Sequence, residues 1–345
     1  MACSAWKRGL SPRFVSRPRS GGNSPSASTA IGTISTADRQ APAPSLYRGR
    51  FAPSPTGPLH LGSLVAATAS YLQALVAGGE WLLRIEDIDP PRELPGATDD
   101  ILRVLDSHGF CWSGDIRWQR QRQPGHLAAV EVLLAANLAF RCDCSRKDIL
   151  AVARRGPTGP VYPGTCRHKA PGMVPAADAA IRIAAAPTLI RFVDRLQGPQ
   201  CCRLDRDIGD FVIRRRDGLI AYVLAATLDD HAQRITEVVR GTDLLAMTPG
   251  QIWLQSLLGL DKPAYLHVPV VRNAAGQKLS KQTGAEPLAP DTPGANLHQA
   301  LTCLGQRPPA ELARDAPGLI WDWAAANWEP ELAGRETGDL VQGRF

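Results

Sequence analysis

The stretch from residue 48 to residue 87 constrains the fold more than any other. Arg48–Pro53 reads as a short strand running into a Pro/Gly turn, Pro55-Thr56-Gly57-Pro58. A helical pattern follows from His60 or Gly62 to Ala77, with Leu64, Ala67, Tyr71, Leu72 and Leu75 near helical spacing. Gly78-Gly79 closes it. Trp81-Leu82-Leu83-Arg84-Ile85 is a buried-strand candidate ending on Glu86-Asp87. Strand, helix and strand within about 40 residues predict a parallel βαβ unit. In open sheets of this kind ligands gather at the strands' carboxyl ends.

The alternation breaks and then resumes. Helices are expected near 97–108 and 124–139. From Arg141 to about Val193, cysteines, Pro/Gly turns and short strands indicate an insertion. Asp210–Tyr222 reads as a hairpin turning at Asp217-Gly218. Leu224–His231 then reads as a helix, Ile235–Val239 as a strand, Pro249–Leu258 as a helix and Tyr265–Val271 as a strand. The expected class is α/β, a doubly wound parallel sheet with a small mixed insertion and a short helical, Trp-containing end. The expected division is 1–46, 47–140, 141–205, 206–290 and 291–345, with 47–140 and 206–290 the two halves of the main domain.

The formal charge of +6 is unevenly placed. Residues 1–46 hold six Lys or Arg against Asp38 alone, so this segment carries nearly all of it. Any basic face for RNA must therefore be local. The same segment is rich in Ser, Pro, Gly and Ala and too poor in apolar residues to pack, so it reads as a disordered basic extension. Its Arg- and Ser-rich, acid-poor start also fits a transit peptide or a misassigned start. No apolar core of a secretion signal is present, nor an apolar run long enough to cross a bilayer. A cytoplasmic location without membrane partners is expected. Eight cysteines in a chain of this size argue for metal rather than disulfides.

Two short tetrads carry the chemistry. His60-Leu61-Gly62-Ser63 opens the first helix, where unpaired N–H groups and the positive dipole end favour phosphate. Lys278-Leu279-Ser280-Lys281 follows the last strand. Taken singly, the first is an ordinary turn into a helix and the second a solvated loop. Together they suggest attack on a phosphate of ATP, with Lys281 meeting the developing charge. Cys142-x-Cys144 and Cys166 offer three thiolates, and His168 is the conventional fourth zinc ligand. Three free buried thiols are the alternative. Cys111, Cys201 and Cys202 read as core or incidental residues.

The segment RFAPSPTGPLHLGSL resembles the first signature of class I glutamyl-type aminoacyl-tRNA synthetases. "RIEDIDPPRELPGA", "DGLIAYVLAATLDDH", "ITEVVRGTDLL" and "KLSK" match the same family in the same order, over residues 47–290. The chain departs from the usual HIGH as HLGS and from KMSKS as KLSKQ. The resemblance implies a Rossmann-like catalytic domain using ATP with Mg²⁺, with His60 and Lys281 catalytic. It implies that His60, Gly62, Ser63, Lys278 and Lys281 bind ATP, and that Arg50, Ser54, Glu86, Tyr222 and Arg240 bind L-glutamate. In chemical terms Glu86 suits the ammonium, while Arg240 can take a carboxylate through a bidentate fork, with Arg50 the other candidate cation. Asp87, Asp89, Asp229 and Asp230 read as residues that orient neighbours or cap helices. One structural Zn²⁺ on Cys142, Cys144, Tyr162 and Cys166 is likewise implied, with Tyr162 as ligand resting on the resemblance alone.

Only 64 residues follow Lys281, where a full glutamyl-tRNA synthetase continues into anticodon-gripping helical domains. With the Cys/Tyr set, this resembles the branch of the family that glutamylates queuosine in the anticodon of tRNA(Asp). A monomer is expected. The rivals are 3′-end glutamylation of tRNA(Glu) and a non-catalytic nucleotide- or RNA-binding relative.

Overall fold

The computed structural model describes residues 46–157, 159–169, 173–175, 179–272, 276–279 and 285–334. Residues 1–45 of the basic extension, Ser280 and Lys281 lie outside the described residues.

The first βαβ unit forms as the pattern requires. Strand β1 (Arg48–Phe51), helix α1 (Leu61–Val76) and strand β2 (Glu80–Ile85) follow in order, and the strands pair in parallel with Arg50 opposite Leu82. Helix α1 buries Leu64, Ala67, Leu72 and neighbours against the strands. Gly79 makes the return possible, since a Cβ there would overlap the backbone of Tyr47. A short β3 (Arg117–Trp118) extends the sheet beyond β2, again in parallel.

The second half repeats the logic. Helix α6 (Tyr222–Ala232) leads to β11 (Glu237–Gly241), and helix α7 (Thr248–Leu258) to β12 (Ala264–Val268). Strands β11 and β12 are parallel, with Arg240 opposite His267. The two halves meet where Thr236 N–H donates to Arg48 O at 2.9 Å and Arg50 Nη1 donates to Val239 O at 3.2 Å. The α/β class with parallel strands is as the sequence indicates.

Between the halves, β4 (Ala139–Cys142), β7 (Ala180–Ile183) and β10 (Val212–Arg214) form a separate antiparallel sheet in the order β10-β7-β4. Strand β8 (Leu189–Asp194), which falls in the 141–205 stretch, joins the other sheet: Asp194 pairs in parallel with Tyr265 of β12. Strand β9 (Gly198–Arg203) follows β8 antiparallel.

Several boundaries differ from the sequence reading; the strand expected over Ile235–Val239 is β11 (Glu237–Gly241), so Arg240 lies within it. The helix expected over 124–139 is α3 (Gln123–Ala135), because Asn137 turns left-handed at φ 56° and Leu138 N–H returns to Leu133 O. The strand expected to Val271 stops at Val268, before Pro269, which has no N–H to donate. The hairpin at Asp217-Gly218 forms, with Gly218 at φ 86°, but its return shrinks to a bridge at Ile220 because Tyr222 already begins α6.

The C-terminal helices α8 (Pro293–Cys303) and α9 (Pro317–Asn327) belong to the main core. Trp321 of α9 meets Tyr71 and Phe110 edge-on at 4.8 and 4.9 Å. Among the described residues no helix is long and apolar enough to cross a membrane.

Candidate active site

At the start of α1, His60 is the extended N-cap, and its Nδ1 accepts from Ser63 N–H at 3.3 Å. In the neutral ring this leaves Nε2 as the nitrogen that carries hydrogen, suited to a phosphoryl oxygen. No acidic side chain stands in the first turn to oppose an anion. Gly62 sits in close quarters: a Cβ there would press to 3.1 Å on the His60 ring and make an ordinary contact with Leu279 O at 3.5 Å. The same contact joins the two tetrads that the sequence separates by more than two hundred residues. Leu279 is buried in the main core and its N–H donates to Val271 O at 2.7 Å. Lys278 donates to Asp243 Oδ2 at 2.6 Å.

Past the carboxyl end of β2 lies a cleft of about 210 Å³ whose walls include Ser54, Glu86 and Tyr222. Glu86 stands just past the end of β2. One of its oxygens accepts from Arg84 Nη2 at 3.2 Å. Burial pushes its carboxyl above the ordinary range, against the pull of Arg84 and Arg50. Arg84 is fully buried and also donates to Asp230 at 2.9 Å and Gln233 at 2.7 Å. Asp230 accepts from Arg50 Nε at 3.1 Å as well. Burial would raise the Asp230 pKa, but the two guanidiniums outweigh it and hold the group charged. Arg50 is thus engaged by Asp230 and Val239 O, and it does not line the cleft.

Arg240 lies behind Tyr222. Its Nη1 donates to Tyr222 Oη at 3.3 Å, and its Nη2 to Thr248 Oγ1 at 3.0 Å and Gln251 Oε1 at 2.6 Å. Nε donates to His267 Nε2 at 3.0 Å. Four of its five N–H groups are therefore committed, so the free fork expected for a carboxylate is not presented. What remains is one Nη1–H beside the Tyr222 hydroxyl.

The four aspartates orient neighbours; Asp89 also stands at the N-cap of the 3-10 turn Pro90–Arg92, without a side-chain capping bond. Asp87 accepts from Arg120, Asp89 from Arg92 and Arg215, and Asp229 from Gln119 and His126. Sequence reasoning missed Arg84, Asp194, Thr248, Gln251 and His267. A signal was present for two of them: Asp194 ends the apolar run of β8, and His267 interrupts that of β12.

A second constellation lies by the antiparallel sheet. The Sγ atoms of Cys142, Cys144 and Cys166 lie within 4.8 Å of one another. Tyr162 Oη is 3.3 Å from Cys142 Sγ and 3.5 Å from Cys144 Sγ. A tetrahedral zinc with sulfur at about 2.3 Å separates its ligands by about 3.8 Å, so these four atoms fit one ion. His168 is exposed and is not part of the cluster, although it is a described residue. The Arg182 guanidinium lies 4.1 Å above the Tyr162 ring, placing positive charge beside four donors that would bind as anions.

Residues 47–289 match the model of the family described as tRNA synthetases class I (E and Q), catalytic domain. The chain belongs to this family, whose members are ligases. Within it, the chain is 51% identical over 295 residues to a glutamyl-Q tRNA(Asp) synthetase of Dechloromonas aromatica, covering 85% of this chain and 97% of that protein. A glutamyl-Q tRNA(Asp) synthetase of Ectopseudomonas mendocina is 51% identical over 283 residues, 82% of this chain and 93% of that protein. The fold is similar to that of a glutamate tRNA ligase from Elizabethkingia meningosepticum, solved with its amino acid, at a TM-score of 0.65 and 23% identity. That likeness covers 80% of this chain, which spans 64% of the ligase's length.

Proposed function

We propose that the chain activates L-glutamate with ATP and transfers the glutamyl group to queuosine in the anticodon of tRNA(Asp). The observation that carries the activation step is the cleft walled by Glu86 and Tyr222, with Arg240 fixed behind it. The second oxygen of Glu86 can take the substrate ammonium. The remaining Arg240 N–H and the Tyr222 O–H can take a carboxylate. Ser54 adds a hydroxyl to the same wall.

The α-carboxylate of glutamate attacks the α-phosphorus of ATP, forming glutamyl-adenylate and releasing pyrophosphate. His60 donates toward a phosphoryl oxygen, Gly62 and Ser63 bring backbone close to the phosphates, and Lys278 and Lys281 meet the charge that develops. Mg²⁺ arriving with ATP would neutralise phosphate charge when bound. A hydroxyl of queuosine then attacks the activated carbonyl, and AMP leaves. The names of the relatives that align over nearly their whole length support queuosine in tRNA(Asp) as acceptor. Cys142, Cys144, Tyr162 and Cys166 would hold one structural zinc, tying β4 to the loop before β7.

The test is incubation with ATP, Mg²⁺, labelled glutamate and tRNA with or without queuosine. Label confined to queuosine-containing tRNA(Asp) supports the proposal. Label on the 3′ end of tRNA(Glu) would replace it with conventional charging, and no label on either would favour a binding relative.

A further inference from the structure

We propose that Asp194 and His267 form a positioning dyad that decides which N–H of Arg240 meets glutamate, and so sets the preference for glutamate over glutamine. The inference rests on the glutamate pocket proposed above.

Three adjacent parallel strands each supply one member. Strand β11 carries Arg240, β12 places His267 directly opposite it, and β8 ends on Asp194 beside Tyr265 of β12. The row runs across the sheet, so side-chain positions inherit the rigidity of the backbone register. Asp194 and His267 are both 0% exposed. Asp194 Oδ2 lies 2.6 Å from His267 Nδ1. Its Oδ1 accepts from the backbone N–H groups of Leu196, Gln197 and His267 at 3.1, 2.8 and 3.2 Å. The carboxylate is therefore fixed through Oδ1 by three backbone donors, which leaves Oδ2 for the ring.

These contacts leave the imidazole one workable state. Burial lowers its pKa, and the Arg240 charge acts in the same direction against the pull of Asp194, so the ring is neutral. Nδ1 faces a carboxylate that only accepts, so Nδ1 carries the hydrogen. Nε2 is then a lone pair, and it accepts from Arg240 Nε at 3.0 Å. Thr248 Oγ1, 3.4 Å from the same Nε2, completes the surroundings.

With Nε held by the ring and both Nη2 hydrogens held by Thr248 and Gln251, the guanidinium cannot turn about its own plane. One Nη1–H is left uncommitted, next to the Tyr222 hydroxyl. Tyr222 Oη accepts from the other Nη1–H, so its own hydrogen is free to donate. In the proposed pocket this Nη1–H and the Tyr222 O–H are two donors side by side. A carboxylate satisfies both. The amide of glutamine brings an NH₂ that would face a donor, and leaving a buried polar group unpaired is what gives such sites their selectivity. His267 acts through Arg240 and is a positioning residue.

The measurement is glutamate-dependent exchange of pyrophosphate into ATP, with glutamine as the competing substrate. His267→Leu removes the lone pair and the Nδ1–H together. It is expected to raise the KM for glutamate by about tenfold or more, as for a lost hydrogen bond to a charged group, with kcat changed less than about threefold. It should also narrow the glutamate-to-glutamine ratio. His267→Gln can donate to Asp194 and accept from Arg240, so it should recover most of both. If His267→Leu does not fold, Asp194→Asn serves in its place and should shift the same two quantities by less. Thermal midpoints are recorded for every variant. A lower midpoint with unmoved KM and unmoved ratio, or equal behaviour of the Leu and Gln variants, would overturn the dyad while leaving glutamate activation intact. Exchange in the unmodified chain that does not depend on glutamate would overturn the pocket and the dyad with it.

Discussion

Lys278 Nζ donates to Asp243 Oδ2 at 2.6 Å, which ties the segment before Lys281 to the turn leaving β11. Asp243 is itself held close, since a Cβ on Gly241 would overlap its Oδ1. Both partners are partly exposed, so the pair adds less than about 1 kcal/mol to stability. Its value lies in placing a cation near the His60–Gly62 end of α1. Asp243→Asn is expected to leave the thermal midpoint nearly unchanged and to raise the KM for ATP severalfold in pyrophosphate exchange. An unchanged KM for ATP would mean that Lys278 is positioned without Asp243.

Arg84 is the fully buried cation that joins β2 to α6, through Asp230, and to Gln233 and Glu86. Removing one member of such a network strands the others. Arg84→Met should therefore cost about 3–5 kcal/mol, far more than its side-chain volume suggests. Urea unfolding monitored by circular dichroism would measure it, and a loss below about 1 kcal/mol would show that the carboxylates find other partners.

The sequence made the frame legible because local signals sufficed for it. The turn at Pro55–Pro58, the helix opened by His60 and the strand ending at Glu86 each declare themselves within a few residues. Arg84 does not. It reads as one polar residue in a strand, and only Asp230 and Gln233, far along the chain, explain its burial. The role of β8 was hidden for the same reason, since its partner β12 lies some seventy residues on and its nearest neighbours resemble an insertion. Arg240 was expected as a carboxylate binder through the family resemblance, and the structure places it within β11. That three of its N–H positions are taken by His267, Thr248 and Gln251 required the tertiary packing.

Acid should reveal the buried carboxylates. Burial would raise Asp230 and Asp194, but Arg50 and Arg84 in the first case, and His267 with backbone N–H groups in the second, hold both pKa values below the ordinary 3.8. A depressed folded pKa gives stability that is complete above the unfolded value and lost as pH falls through the folded one. Glu86 runs the other way, because burial holds it above 4.5 and its protonation on acidification favours the folded state. The urea midpoint should therefore fall steeply only below about pH 4. Asp194→Asn should flatten that fall, and an unchanged slope would mean that Asp194 contributes nothing to it.

The zinc ligands can be separated by two substitutions. Tyr162 Oη lies with the thiols, whereas His168 is exposed and stands apart from them. Tyr162→Phe should weaken zinc retention by at least about tenfold in competition with a chromophoric chelator, while His168→Ala should leave it unchanged. The purified chain should carry one zinc per molecule by elemental analysis. Loss of zinc from His168→Ala with full retention by Tyr162→Phe would reverse the ligand assignment.

Trp321 shows why the C-terminal helices cannot be treated as an appendage. It is 3% exposed, its ring meets Tyr71 of α1 and Phe110 edge-on, and its Nε1 donates to His108 O at 2.9 Å. Gly109 turns left-handed at φ 72°, and even a Cβ there would stand only 3.3 Å from the Trp321 nitrogen. Truncating Trp321 to Ala leaves a cavity beneath α1 and an unpaired carbonyl at His108. The expected cost is about 3–5 kcal/mol, read as a lower urea midpoint. Because α1 carries His60 and Gly62 at its start, the loss should also appear as weaker ATP binding in the folded fraction, with zinc content untouched. A variant that is as stable as the parent would mean that α9 can detach without disturbing α1.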